Sequence, residues 1–236
     1  YGMGTERVEQ ALLELIPNAR TLRWDADTAS GKQSEAIILS HFKRHNADVL
    51  IGTQMLAKGL DLPLVTLVGV ILADVGLNFP DYRAGERAFQ LLTQVSGRAG
   101  RSALGGRVIL QTFQPEHYAI QFASKHDFTS FYSAELGYRR ELQYPPFTTL
   151  IRFETRDLDH QKAKQRAKDL SSILSKKIRE STDKTLQLIG PSPPYFAKRS
   201  GYYRWQVLLK GNQPEKIIPE VDLTDWRVNV NPPNLL

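Results

Sequence analysis

Between Thr21 and Thr112 short apolar runs alternate with amphipathic stretches, and this alternation restricts the fold more than any other property of the chain. The runs at 21–24, 48–52, 65–72 and 107–112 read as strands, and the stretches at about 33–44 and 83–95 read as helices. Continuous apolar runs belong to strands buried on both faces, and helices between them supply the crossovers that parallel pairing requires. The pattern predicts an α/β domain with a parallel sheet covered on both sides. A further helix is expected over 6–16, where Val8, Ala11, Leu12 and Leu15 fall at helical spacing, with Thr5 as N-cap and Pro17 as stop. The longest apolar stretch, 65–73, is about half what a spanning helix needs and is broken by Thr66 and Gly69. It reads as a buried strand.

The stretch 116–142 reads as two helices or one bent one, halted at Tyr144-Pro145-Pro146-Phe147. The domain boundary is placed there, giving domains over 1–143 and 144–236. Beyond it strands are expected at 149–155, 186–190, 203–210 and 226–231. A long helix over 159–181 carries Ala163, Ala167, Leu170, Leu174 and Ile178 as one apolar stripe, with seven Lys and Arg on its other faces. Strand, helix, strand, strand, strand is the order of a split βαβ unit, a ferredoxin-like α+β domain. Only about ten residues separate Gly211 from Val221, so the second helix of such a unit should be short or partly missing.

Two domains suit a chain of 236 residues. Lys and Arg number 31 against 25 Asp and Glu, an excess that suits a polyanionic partner without requiring one. The chain has no cysteine, which excludes a disulfide or a thiolate zinc site built from these residues and fits a reducing, cytoplasmic setting. No metal ligand set is identified. The opening residues lack a basic-then-apolar signal pattern and run straight into a helix, as expected of a chain that begins mid-protein.

Two segments carry chemistry. In Gln94-Val95-Ser96-Gly97-Arg98-Ala99-Gly100-Arg101, two arginines three apart follow an amphipathic helix among glycines. Their planar guanidinium forks can converge on one small anion such as a triphosphate, where phosphoryl transfer develops negative charge. A basic surface turn, with the glycines merely ending the helix, explains the same residues equally well. In Ile51-Gly52-Thr53-Gln54-Met55-Leu56-Ala57-Lys58-Gly59-Leu60-Asp61, a buried strand ends in a hydroxyl and backbone amides that could seat a phosphate, and Gly59-Leu60-Asp61 returns toward the sheet. Thr53 as an N-cap and Asp61 as a turn residue are the plainer readings. Both blocks occurring about forty residues apart in one α/β unit favour the nucleotide.

These blocks resemble motifs V and VI of superfamily 2 helicases, in the form found in the PriA family of primosomal replication-restart helicases. The resemblance extends to Gly4-Thr5-Glu6-Arg7, Asp25-Ala26-Asp27-Thr28, Ala73-Asp74, Pro80-Asp81-Tyr82-Arg83 with Glu86-Arg87, and Tyr144-Pro145-Pro146-Phe147. It implies a RecA-like motor lobe followed by a DNA-binding domain. It further implies that Thr53, with Gln54 beside it, meets the DNA backbone and that Gly59 and Asp61 face ATP. Gln94, Arg98 and Arg101 would approach the γ-phosphate, the arginines as fingers. The P-loop and the Mg²⁺-binding acid would lie on another lobe, so this chain would supply the second half of the ATP site. Gly31-Lys32-Gln33-Ser34 fails as a P-loop because Gln33 replaces the required Ser or Thr and Ala26 the first Gly. Asp74 mimics a Walker B acid but reads as a strand-end residue. Zinc belongs to a family segment just before the Gly-Thr-Glu-Arg block, and the chain starts after it. Asn229 and Asn231-Pro232 stand where acidic residues are expected.

The implied protein is a 3′→5′ DNA helicase that acts at stalled or branched forks as a monomer, with single-stranded-DNA-binding protein and primosome proteins as partners, in the nucleoid-associated cytoplasm. A non-catalytic nucleic-acid module on a degenerate helicase lobe is a different reading. A RecG-like translocase shares Gly-Arg-x-Gly-Arg but should lack Tyr-Pro-Pro-Phe, and RNA helicases usually place His where Gln94 stands. Tyr195 to Trp205 is the densest mixture of aromatic and basic side chains. Such mixtures bind single strands by stacking and phosphate neutralisation. Alternation along a strand allows one aromatic set to be simply core, and the mixed assignment buries Trp205 and leaves Lys198, Arg199, Tyr202 and Arg204 for DNA, the role that the resemblance to the family's C-terminal domain implies.

Overall fold

The computed structural model describes residues 4–25, 32–53, 56, 62, 64–99, 105–218 and 221–236, with the backbone alone of 32–35 and 98–99. These residues divide into two compact units, one of 1–75 with 88–126 and one of 76–87 with 127–236. The compact units do not divide at 143. Residues 76–87 and the helix before Tyr144 belong with the C-terminal domain, because Arg139 bonds Glu86 and the Tyr82 ring stacks on Tyr144.

In the first unit α1 (Thr5–Leu15) begins one residue earlier than expected, and Gly4 rather than Thr5 is its N-cap. The Thr5 hydroxyl instead donates to Asp25. Strands β1 (Thr21–Trp24) and β2 (Val49–Gly52) pair in parallel, joined through α2 (Lys32–Lys43). β3 (Leu67–Val70) and β4 (Arg107–Leu110) form a second parallel pair, joined through α3 (Ala84–Ala99). Among the described residues the two pairs do not join into one sheet. On α3, Ala84, Ala88, Phe89 and Leu92 are buried at helical spacing. The helix runs four residues past its expected end and straight through Gly97. α4 (Tyr118–Ser124) closes the unit, and its first turn is capped by His117 Nδ1, which accepts from the Ala119 amide.

The second unit opens its main stretch with α5 (Phe128–Glu141), N-capped by Asp127, so 116–142 is two helices. Its sheet has the order β6-β8-β5-β9, all antiparallel, from β5 (Thr149–Asp157), β6 (Gln187–Ser192), β8 (Tyr202–Gly211) and β9 (Arg227–Val230). That is the split βαβ order. A two-residue strand β7 (Lys198–Arg199) adds a hairpin on β8. The long helix α6 (His160–Glu180) is capped by Asp159, whose carboxylate accepts from Gln161 N at 2.7 Å. Its stripe of Ala163, Ala167, Leu170 and Leu174 packs on Ile151, Phe153, Trp205, Val207 and Leu209 of the sheet. Two alanines one turn apart let helix and sheet approach closely. The second crossover is the 3-10 turn Pro214–Ile217, and Ile217, Ile218, Val221 and Leu223 pack on the same core in place of a helix.

The opposite face of this sheet is covered as well. Leu150 and Leu208 pack with Leu235, Tyr82 and Tyr144. Asn231 accepts from Leu150 N through its side chain and donates its own amide to Leu150 O, holding the tail to β5. Its φ of 47° is a left-handed conformation that asparagine tolerates better than most residues.

Candidate functional site

Strand β2 delivers Thr53 to the surface, where its carbonyl accepts from Leu56 N at 3.0 Å. The preceding Gly52 is required there, since a Cβ would lie 2.5 Å from the Trp24 carbonyl oxygen and 2.8 Å from Leu56 Cδ1. Gln54, Gly59, Asp61 and Arg101 lie outside the described residues. Gln94 is exposed on α3, and Arg98 stands four residues further along the same helix. Ser96, Gly97 and Arg98 are helical, so Gly97 does not end the helix. A Cβ on Gly97 would meet nothing within 4 Å among the described residues. The hydroxyls of Thr93 and Ser96 are turned back to Phe89 O and Thr93 O of their own helix.

Asp74 is 5% exposed and spends its carboxylate inside the first unit. It accepts from Thr112 Oγ1 at 2.7 Å and from the amides of Phe113 and Gln114 at 3.0 Å each. Burial pushes its pKa up, but these donors outweigh it and hold the group below the usual carboxylate range. A magnesium-binding acid has to turn its oxygens outward. This one ties the end of β3 to the end of β4, as the strand-end reading expects. Among the described residues no cluster of three His, Cys, Asp or Glu could hold a metal ion, and no helix is long and apolar enough to cross a membrane.

The aromatic and basic segment of the second unit is a hairpin. Ser200 and Gly201 have φ of 49° and 85°, the pair of left-handed residues that a two-residue turn of the primed type requires. Lys198 faces Tyr203 and Arg199 faces Tyr202 across it. Lys198 Nζ lies 4.5 Å from the centre of the Tyr203 ring, and the Arg156 guanidinium sits 5.0 Å over Tyr202. Lys198, Arg199, Tyr202 and Arg156 are all exposed. Beside them the exposed rings of Tyr195 and Phe196 meet edge to face.

Trp205 is buried, as expected, but Arg204 is not available to DNA. Its guanidinium grips Glu154 through Nε at 3.1 Å and Nη2 at 2.7 Å, and Nη1 donates to Phe196 O. Arg152 pairs with the same Glu154 from the other side. The alternation that puts Arg204 opposite Trp205 is right. The face it enters is covered by the tail, to which Arg204 and Arg152 donate at Leu236 O and Asn234 O. Arg156, directly across from Arg204 in the ladder, supplies the surface cation instead. Sequence reading passed over it; its place at the end of β5, level with the hairpin, was the available signal.

Two families of known proteins match the chain side by side. One, described as the helicase conserved C-terminal domain, matches residues 3–103, and the other, the primosomal protein N C-terminal domain, matches residues 140–232. A replication restart protein PriA of Bacillus subtilis is 43% identical over 92% of this chain and 26% of its own length. Those of Synechocystis and Treponema pallidum are 41% and 42% identical, each over 89% of this chain and over 25% and 31% of their own lengths. The chain thus spans about a quarter of the length of the curated relatives it matches.

Proposed function

Because the chain belongs to the PriA family and corresponds to its C-terminal part, we propose that it forms the second motor lobe and C-terminal DNA-binding domain of an ATP-dependent 3′→5′ DNA helicase for replication restart. What supports this most is the succession of a helicase lobe and a primosomal domain within one chain. Bound between this lobe and a P-loop lobe, ATP with its Mg²⁺ supplies the energy for translocation. Within this chain, Gly59 and Asp61 face the nucleotide, Gln94 orients the attacking water, and Arg98 and Arg101 neutralise the charge developing on the γ-phosphate. Thr53 and Gln54 hold the DNA backbone. Asp74 cannot serve as the magnesium acid, so that group is assigned to the other lobe, and zinc to a cysteine-bearing segment of the family. The protein acts as a monomer at forked DNA in the cytoplasm, with single-stranded-DNA-binding protein and primosome proteins as partners.

The reading is tested by strand separation on a forked duplex with the full-length protein and ATP. Tight fork binding without hydrolysis would instead make it a non-catalytic module. The 236 residues alone should show no DNA-stimulated ATPase, because arginine fingers without a phosphate cradle cannot bind the nucleotide. Hydrolysis by a pure sample of this fragment would overturn the division of the site between lobes.

On the hairpin, Lys198 and Arg199 neutralise phosphates while Tyr202 offers a ring to an unpaired base. Replacing both cations with alanine should weaken fork binding and reduce the salt slope of log K by about one to two units. A folded double variant with an unchanged slope would move the DNA to the basic faces of α6.

A further inference from the structure

Residues directly opposite one another in an antiparallel ladder share a face, so the register of the hairpin decides on which side each of its cations stands. Lys198 pairs with Tyr203 and Arg199 with Tyr202. The two cations, neighbours in sequence, therefore stand on opposite faces of the ribbon. The contacts agree. Lys198 Nζ donates to the Tyr203 hydroxyl at 3.3 Å and lies over that ring, on the side of the sheet where α6 packs. On the same side His160 meets the Tyr203 ring at 5.3 Å between centres, and Lys164 Nζ lies 5.7 Å from the centre of the Trp205 ring. Asp157, opposite Tyr203 in the ladder, also faces this side, but its carboxylate is taken by Arg166 at 2.8 Å and by the Asp159 amide at 2.9 Å. The other face carries Arg199, Tyr202 and Arg156, with the Arg156 guanidinium over the Tyr202 ring.

The two faces differ in what they can hold. On the Arg199 face the Tyr202 ring is exposed, so cations and a ring stand together, the combination that takes an unpaired strand. On the Lys198 face the Tyr203 ring is half-buried beneath the ammonium group and against His160. That face offers the cations Lys198 and Lys164 without an open ring, which suits a duplex, whose bases are already stacked and whose backbone carries the charge. The thickness of the ribbon stands between the faces, so one straight segment of nucleic acid reaches only one of them. We propose that the hairpin is a two-sided site for a junction of single-stranded and duplex DNA, with the unpaired strand on Arg199, Tyr202 and Arg156 and the duplex backbone on Lys198 and Lys164. This inference rests on the reading that the hairpin meets DNA, and adds which part of the substrate each face takes.

The experiment titrates full-length protein, without nucleotide and at several salt concentrations, against a linear single strand, a linear duplex and a duplex bearing one single-stranded arm. Wild type is compared with Lys198→Ala, Arg199→Ala, the double variant and Tyr202→Ala, each shown folded by circular dichroism. On the single strand Arg199→Ala should reduce the salt slope of log K by about 0.7 and Lys198→Ala should leave it unchanged. On the duplex Lys198→Ala should reduce it by about 0.9 and Arg199→Ala should leave it unchanged. On the armed duplex each substitution should act, and the double variant should show both losses. Tyr202→Ala should weaken single-strand binding on the order of tenfold and spare the duplex. Equal losses for the two single variants on either linear substrate overturn the proposal, since one segment would then touch both faces. On the duplex that result means a ribbon laid in the major groove, which is wide enough to admit one. Reversed preferences, with Lys198→Ala acting on the single strand alone, overturn it as well. If no variant changes slope or affinity on any substrate, the hairpin does not meet DNA, and the reading beneath the proposal is what fails.

Discussion

Alanine at Arg101 or Arg98 in the full-length protein should cut ATP turnover by about 10³, at the lower end of what a lost arginine finger costs. Fork binding should survive, because neither side chain is assigned to DNA. The mechanism is electrostatic. Charge spreads over the γ-phosphate oxygens in the transition state, and a fixed guanidinium neutralises it without reorganising solvent. Lysine at either position should recover little, since it presents a point charge in place of a planar fork. Steady-state kinetics with saturating DNA decides the matter, and a variant hydrolysing ATP at the wild-type rate would return both arginines to the status of surface cations.

The second large effect is on stability. Glu154→Ala removes the one carboxylate shared by Arg152 and Arg204 and leaves two buried guanidinium groups facing each other. Breaking a buried pair by deleting one partner costs on the order of 3–5 kcal/mol. The transition of the second unit should therefore fall by roughly 10 °C or more in calorimetry. Replacing all three residues together with apolar residues of similar volume should be far milder, because no unpaired charge then remains. A Glu154→Ala protein melting with wild type would mean that water reaches the cluster. The sign with pH follows from Glu154, which burial pushes up but the two arginines hold below its ordinary value. Its contribution is present above the ordinary carboxylate pKa and is lost as pH falls through the lowered one.

The long periodic elements were legible. Asp159 and the apolar stripe placed α6 with its cap, and the short interval after Gly211 foretold that the second crossover would shrink to a turn. Gly97 misled because its helical penalty is only about 1 kcal/mol, less than the burial of Phe89 and Leu92 on the same helix returns. Arg204 misled for a longer-range reason. Strand alternation separates two faces but does not say whether the second is wet, and here that depends on a tail some thirty residues further on. The pair of left-handed residues at Ser200 and Gly201, with β7 before them, was written in the sequence as a turn signal and passed over. The nucleotide-facing roles of Gly59, Asp61, Gln94, Arg98 and Arg101 are assignments by resemblance.

The bond between Leu235 N and Asp81 joins residues 154 positions apart, which has a consequence for the order of synthesis. Segment 76–87 leaves the ribosome before any of the sheet it belongs to, and the first unit's remaining pieces emerge between. At roughly 5–20 residues per second, Tyr82 waits about 8–30 s for the tail that receives its hydroxyl. During that interval β5 and then β8 are made with Leu150 and Leu208 still lacking Leu235 over them. Closing so long a loop is slow, and an apolar strand face left partly covered for seconds invites pairing with other nascent chains. The chain is therefore most vulnerable in the cell not while its motor motifs are being made but between the synthesis of β8 and that of Leu235.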